Sequence, residues 1–222
     1  MVITGASSGI GAATAWRAAE FGYRVVLAAR SEDKLAGLAE ELGEGAIAVP
    51  CDVTSWADQQ ELVATTLRRF GRLDVFFANA GFGAKRGFLE ESVEHWRAMI
   101  DTNVLGAALS IRATLGHFRE QNRGHVLLTS SVAGRRVLPG SLYSATKWAV
   151  SAMGEALRQE LADTDIKVTL IEPGMVDTPF FSERPQGALE PDDIARAVMF
   201  ALTQPAHVDV NEVLVRPIHQ QG

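Results

Sequence analysis

The sequence predicts a doubly wound α/β domain, one open parallel sheet of about seven strands with helices on both faces. Two observations carry this. Short apolar runs alternate with stretches of helical periodicity along the chain, the pattern of parallel sheets built from strand–helix–strand units. The runs are also continuous, as in Arg24-Val25-Val26-Leu27-Ala28-Ala29, and a strand covered on both faces needs that. At 222 residues the chain fits one domain, 1–222, better than two. An apolar fraction of 47% with 22% charged residues suffices for a core of that size.

Taken in order, Val2 to Thr4 reads as the end of a strand. Gly5-Ala6-Ser7-Ser8-Gly9-Ile10-Gly11 reads as a tight turn entering a helix over Ala12 to Phe21. That strand is short against a usual length of about five or six residues, so it is a stub or the native chain begins upstream of Met1. A second strand covers Tyr23 to Ala29. Ser31 is placed to cap a helix running to Leu42, which Gly43 closes. Ala46 to Val49 is the third strand, ended by Pro50. A helix over Ser55 to Phe70 ends at Gly71 and leads into a strand over Leu73 to Ala78. One long helix spans Val93 to Gln121, followed by a strand over His125 to Ser130. The helix starting near Tyr143 runs to Ala162, and Ile166 to Ile171 is the next strand. Pro191-Asp192-Asp193 opens a last helix with proline and acid in its first turn, and Glu212 to Val215 is a final strand.

Composition excludes several function classes. A net charge of −6 is not the basic footprint of a nucleic-acid binder. No apolar run approaches the roughly 20 residues that cross a bilayer, and Met1-Val2-Ile3-Thr4-Gly5 lacks the basic and hydrophobic regions of a secretory leader. The single cysteine, Cys51, forms no internal disulfide and suits a reducing cytosol. The five histidines show no metal-ligand spacing. The expectation is a cytoplasmic protein without nucleic-acid, membrane or metal partners.

Chemistry concentrates around Tyr143-Ser144-Ala145-Thr146-Lys147. Residues four apart on a helix share a face, so a lysine charge stands beside a phenol. A free phenol, with a pKa near 10, exchanges protons poorly at neutral pH. A neighbouring ammonium favours the phenolate and moves that pKa toward the working range of a general acid/base. The opening turn supplies the other half of a site. Its glycines let backbone approach a ligand, and a helix N-terminus offers free N–H groups to a pyrophosphate. The spacing is Gly-x3-Gly-x-Gly, not the common Gly-x-Gly-x-x-Gly fingerprint.

Together, Thr4-Gly5-Ala6-Ser7-Ser8-Gly9-Ile10-Gly11, Asn79-Ala80-Gly81, Asn103, Ser131, Tyr143-x3-Lys147 and Pro173-Gly174 resemble the short-chain dehydrogenase/reductase family, in the family's order and over nearly the whole chain. The tail Val210-Asn211-Glu212-Val213-Leu214-Val215-Arg216-Pro217 is similar to the branch holding NADP-dependent 3-hydroxy acid (serine) dehydrogenases and the clavulanate-type aldehyde reductase. The resemblance implies a Rossmann-type sheet and an oxidoreductase moving hydride between NADP(H) and a carbonyl or secondary alcohol. Tyr143 is then the proton donor. Lys147 lowers the pKa of Tyr143 and holds the nicotinamide ribose, Ser131 hydrogen-bonds the carbonyl, and Asn103 interrupts its helix and holds a water linking Lys147 to solvent. An NADP-binding regulatory protein with little turnover is the alternative.

The same resemblance assigns cofactor contacts to Gly5, Ser7, Ser8, Gly9, Ile10 and Gly11, to Asp52 and Val53 at the adenine, and to Asn79, Ala80 and Gly81 at the adenosine ribose. Pro173, Gly174, Val176 and Thr178 are assigned to the nicotinamide end, along with Tyr143 and Lys147. Asp52 is alternatively a helix-start residue beside Thr54. At the end of the second strand, where an NAD enzyme of this architecture has an acid, stands Ala29; Arg30 and Ser31 follow, a guanidinium and a helix-capping hydroxyl suited to a 2′-phosphate. Two departures from the family's pattern stand out. Ser131 lies twelve residues before Tyr143, and Ser130 thirteen before it; the family's usual spacing is thirteen, but its local Ser-Val-Ala-Gly pattern selects Ser131. The substrate lid, about 178–190, is short, with Phe180 and Phe181 as its apolar wall or as sheet-edge packing. Lys85, Arg86, Arg135 and Arg136 lie on loops that rim the family's site and are either receivers of a substrate carboxylate or simply solvated. Apolar residues to spare on two helices, among them Trp148, Ala152, Met153 and Ala156, predict a homotetramer.

Overall fold

The computed structural model describes residues 1–181 and 183–220. Seven parallel strands form one sheet: β1 (Val2–Thr4), β2 (Val25–Ala29), β3 (Ala46–Pro50), β4 (Val75–Ala78), β5 (Gly124–Thr129), β6 (Ile166–Pro173) and β7 (Glu212–Val215). Their order is β3-β2-β1-β4-β5-β6-β7. The chain winds outward from β1 to β3, crosses back, and winds outward the other way. The reversal falls between β1 and β4, and a doubly wound sheet opens its ligand crevice there, beyond the carboxyl ends of the strands.

Adjacent strand residues feed opposite faces, which explains the unbroken apolar runs. Phe76 and Leu128 belong to one core layer with Leu62 and Phe118. Their chain neighbours Phe77 and Leu127 belong to the other, with Ile3, Leu27 and Ile194. A polar residue at any of these positions would enter a core on either face.

Seven α-helices cover the sheet: α1 (Gly9–Glu20), α2 (Glu32–Leu42), α3 (Trp56–Phe70), α4 (Val93–Ile100), α5 (Gly106–Glu120), α6 (Leu142–Glu160) and α7 (Pro191–Leu202). Their ends carry the expected signals. The Ser55 hydroxyl accepts the Asp58 N–H, Gly71 closes α3 at φ +74°, and Glu190 and Asp193 form a reciprocal box at the start of α7. Ser31 occupies the cap position of α2, but its hydroxyl makes no cap bond.

Several boundaries differ from expectation, three of them near the site. α1 begins at Gly9, because the turn itself is already helical at its end. β6 continues through Pro173, pairing with Val215 of β7; a proline ends a parallel ladder without losing a bond it needs when it sits last. The single helix expected over Val93 to Gln121 is instead α4, a π-helical segment over Asp101–Leu105, and α5. Such insertions gather at functional sites, and here the segment delivers Asn103 to the interior.

Candidate active site

A cleft of about 880 Å³ lies over the strand ends at the switch point. Its floor at one end is the glycine turn. Glycine is required there by space: a Cβ on Gly11 would stand 2.3 Å from the Gly5 carbonyl oxygen, and one on Gly9, at φ +53°, 2.9 Å from Thr178 Cγ2. The bare turn brings Ser7, Ser8, Gly9 and Ile10, at the N-terminus of α1, to the cleft wall. Behind it, Thr4 locks the turn to the next strand. Its hydroxyl accepts the N–H groups of Asn79 (3.0 Å) and Ala80 (3.1 Å). The Asn79 amide donates to the Thr4 carbonyl and accepts from Thr129 Oγ1, tying β1, β4 and β5 together at their ends.

Most residues singled out in the sequence line this one cleft: Gly5, Ser7, Ser8, Gly9, Ile10, Arg30, Ser31, Val53, Asn79, Ala80, Gly81, Ser131, Tyr143, Lys147, Pro173, Gly174, Val176 and Thr178. Gly11, Asp52 and Asn103 do not. Gly11 packs α1 against the turn. Asp52 Oδ1 accepts from the N–H and hydroxyl of Thr54, bonds that hold its carboxyl below the ordinary carboxylate value. That is its helix-start role. Asn103 is buried and clamps both sides of Phe82, accepting from its N–H (3.0 Å) and donating to its carbonyl (2.9 Å), with a further donation to Thr146 Oγ1 (3.1 Å). Both amide hydrogens are thereby used, and the cleft segment Gly81–Phe82 is fixed to α6.

On α6, capped where Ser141 Oγ accepts the Ser144 N–H, Tyr143 and Lys147 share the face toward the cleft. Lys147 is buried; its ammonium donates to the Thr129 carbonyl at 2.7 Å and lies 5.7 Å from the Tyr143 ring centroid. Ser131 opens a short 3₁₀ turn over Val132–Gly134, its hydroxyl accepting the Ala133 N–H at 3.1 Å and donating to the Pro173 carbonyl at 3.3 Å, and it faces the Tyr143 phenol closely enough to pull its pKa down. Ser130, the rival by spacing, donates to the Lys147 carbonyl and sits 2.7 Å from Ser151 Oγ. It braces α6, whereas Ser131 meets the phenol.

The electrostatics differ from the simple pairing argument. Burial pushes the Tyr143 phenol up to about 12, with the Ser131 hydrogen bond pulling the other way. Burial also pushes the Lys147 ammonium down to about 8. Desolvation outweighs the attraction between the two groups because both sit inside the cleft wall and the ammonium is already turned to Thr129.

Among the described residues no Asp or Glu lines the cleft, while Arg30, Arg86 and Lys147 do. A bare glycine cradle at a helix N-terminus and walls without carboxylates fit the pyrophosphate of a dinucleotide, and Arg30 stands exposed just past the end of β2. Arg135, a candidate for a substrate carboxylate, is spent elsewhere: its Nε donates to both oxygens of the buried Glu172 (2.7 and 2.9 Å), and it also pairs with Glu212. Lys85 and Arg136 do not line the cleft; Arg86 does.

The segment expected as a lid is stapled at its base. Val176 and Leu189 form a parallel bridge, Asp177 N–H donates to the Leu189 carbonyl and Leu189 N–H to that of Met175. Arg184 adds ion pairs to Asp177 and Glu190. Ser182, within the expected lid, lies outside the described residues. Phe180 turns inward, its ring 5.4 Å from that of Tyr143, and Phe181 follows at 5.0 Å. Several neighbours carried no signal in the sequence. Thr129 had only its position at a strand end to mark it. His219 and Gln220 reach the cleft from the tail, where Gln220 Oε1 accepts the Met175 N–H at 2.9 Å.

No helix among the described residues is long and apolar enough to cross a membrane, and no group of three metal-ligating side chains occurs among them. The sequence profile of the short chain dehydrogenases matches residues 1–188. An uncharacterized oxidoreductase of Staphylococcus haemolyticus is 47% identical over 98% of this chain and 96% of its own. Among solved structures, an alcohol dehydrogenase of the archaeon Thermococcus sibiricus, complexed with 5-hydroxy-NADP, is 35% identical with a TM-score of 0.92, covering 100% of this chain and 97% of that one. A closed serine dehydrogenase complexed with NADP+ is 31% identical with a TM-score of 0.93, covering 100% and 96%. A relative from Burkholderia phymatum, 29% identical over 96% of this chain and 87% of that one with a TM-score of 0.88, is in complex with NAD. With its profile, its relatives and its sheet in agreement, the chain belongs to the short-chain dehydrogenase/reductase family of oxidoreductases.

Proposed function

We propose that this protein is an NADP(H)-dependent oxidoreductase acting on a carbonyl or secondary alcohol through Ser131, Tyr143, Lys147 and Asn103. The observation that carries the reading is that Ser131 and Tyr143 line one cleft with a buried Lys147, its ammonium 5.7 Å from the Tyr143 ring, and with the glycine turn. Bound nicotinamide supplies or accepts the hydride. Ser131 and Tyr143 hold the substrate oxygen between two hydroxyls, and in the reducing direction Tyr143 gives its proton to that oxygen. The Lys147 charge stabilises the phenolate left behind and offers donors to the adjacent ribose. Asn103 positions the Gly81–Phe82 wall and α6 from behind. Among cofactor contacts, Ser7, Ser8, Gly9 and Ile10 face the phosphates, Gly5, Asn79, Ala80 and Gly81 the adenosine ribose, and Val53 the adenine. Pro173, Gly174, Val176 and Thr178 lie at the carboxamide, with Gly11 and Asp52 supporting from outside the cleft.

The Lys147 assignment has a pH signature. kcat/KM for the reduced cofactor reports groups of the free enzyme, where the ammonium titrates near 8. Its charge is present below that value and lost above it. Reductive kcat/KM therefore falls as pH rises through about 8, and Lys147→Met, already impaired, lacks that limb. An unchanged limb in the variant removes Lys147 from the assignment.

NADP(H) is preferred because Ala29 offers no carboxylate to a ribose 2′-hydroxyl, and the exposed Arg30 and Ser31 line the cleft beside it. A charge-assisted hydrogen bond is worth about 1.5–3 kcal/mol, roughly tenfold to hundredfold in affinity. Arg30→Ala raises KM for NADPH by that factor and leaves NADH kinetics nearly unaltered. Equal efficiency of the unmodified enzyme with both cofactors overturns the preference.

A homotetramer is proposed on the same footing. Ile100, Leu105 and Trp148 stand exposed on the helical face, and Phe200 and Leu214 near the β7 edge; two separate apolar faces support two kinds of contact. Light scattering at micromolar concentration gives four times the chain mass, and a monomer there refutes it. The buried, free Cys51 supports a reducing, cytoplasmic setting.

A further inference from the structure

We propose that the substrate is an uncharged carbonyl compound bearing a bulky apolar group, which runs from Tyr143 along an aromatic wall to the mouth of the cleft. This rests on the oxidoreductase reading above and names the substrate class of the same site.

Beyond Tyr143 the cleft changes character. Its walls there include Phe82, Leu138, Met175, Phe180 and Phe181. The rings of Tyr143, Phe180 and Phe181 stand edge to face in a row, at 5.4 and then 5.0 Å. Phe82 is braced from behind by His95, whose ring meets it edge-on at 5.3 Å and whose Nε2 bonds the Gly83 carbonyl at 2.9 Å. The two sides close together at Gly83, where a Cβ would come within 2.5 Å of the Phe180 ring. These are rigid apolar surfaces held in place, and the part of a substrate lying against them must be apolar as well.

The mouth continues the same chemistry. The Gly87 N–H donates to the Gly140 carbonyl at 2.8 Å, joining the loops that carry Phe88, Leu89 and Val137. Leu89 is 96% and Val137 75% exposed, and Ile218, next to the cleft residue His219, is 93% exposed. Of these, Val137 lines the cleft itself, an apolar side chain left in water at the opening that an apolar ligand covers.

Charge argues the same way. Lys147 is turned to Thr129, and Arg135 is taken by Glu172 and Glu212. Among the described residues that line this half, Arg86, exposed at the wall, is the remaining guanidinium. An exposed single charge repays little of the desolvation of a carboxylate placed among aromatic rings.

The test is a series of 2-alkanones from propanone to 2-nonanone, with ethyl benzoylformate and benzoylformate as a matched ester and acid. Two readouts are taken: NADPH consumption, and calorimetric binding to the enzyme–NADP+ complex. The expected result is a rise of about fourfold per added methylene in both readouts, lessened in Phe180→Ala, and an ester preferred over its acid by about a hundredfold or more. A series flat in both readouts, or preference for the acid, overturns the inference. Binding that climbs with chain length while no carbonyl is reduced overturns the oxidoreductase reading and leaves the apolar site standing.

Discussion

Tyr143→Phe lowers kcat by about 10²–10⁴-fold, the range of a lost general acid, while the protein folds and binds cofactor as before. The substitution removes one oxygen. The ring stays, and with it the edge contact to Phe180 and the position 5.7 Å from the Lys147 ammonium. The lost atom is the one that meets Ser131. Burial holds the phenol near 12, so in the empty cleft Tyr143 carries its proton at every ordinary pH and is ready to give it. Losing that proton should reduce kcat and kcat/KM alike, the mark of an interaction made in the transition state. Steady-state NADPH oxidation with any accepted carbonyl, beside cofactor binding by fluorescence, measures both. Near-normal turnover in the variant would remove Tyr143 as the proton donor, whereas absence of turnover in the unmodified protein with every carbonyl tried would favour the reading of a cofactor-binding regulator.

Much of this site was legible in the sequence because it is built from short-range signals. A tyrosine and lysine four apart need only a helix to share a face. A glycine-rich turn needs only a strand before it and a helix after it. Continuous apolar runs announce strands buried on both faces, and Phe76 and Phe77 feeding opposite core layers show why. What could not be read depends on contacts far apart in the chain. The interruption at Asn103 was expected from the family resemblance alone, since Asp-Thr-Asn-Val-Leu has helical periodicity throughout; its contacts with Phe82 and Thr146 from the π-helical segment Asp101–Leu105 carried no local signal. The phenol pKa ran opposite to the expectation for the same reason. Spacing reveals that Lys147 is near, but not that Lys147 is buried and the phenol half-buried. Arg135 looked like any solvated loop cation, since its partners lie 37 residues away at Glu172 and further still at Glu212.

Arg135→Ala is expected to destabilise the fold by about 1–3 kcal/mol at pH 7, the cost of leaving a buried polar group unpaired, less than for a fully buried ion pair because the Arg135 side chain is 36% exposed. Glu172 is 1% exposed and lies near the C-terminal end of β6, one strand in from the sheet edge. Burial pushes its carboxyl above the ordinary value, and the Arg135 guanidinium pulls it back. Without that guanidinium the carboxylate is left charged in an apolar setting with Glu212 nearby, and its folded-state pKa climbs further. The sign of the pH effect follows. An acid whose pKa is higher folded than unfolded adds stability below its unfolded value and loses it as pH rises through the folded one. The defect of Arg135→Ala is therefore small near pH 4, where Glu172 is protonated, and largest at neutral pH. Urea denaturation of both proteins across this range measures it. The double variant Arg135→Leu/Glu172→Leu removes both charges and recovers most of the loss. A defect equal at all pH values, or undiminished in the double variant, would mean that Arg135 contributes packing rather than charge. The consequence reaches the cleft, because Glu172 leads directly into Pro173, whose carbonyl accepts the Ser131 hydroxyl at 3.3 Å. Loosening the pair should thus raise KM for the cofactor before it unfolds the chain.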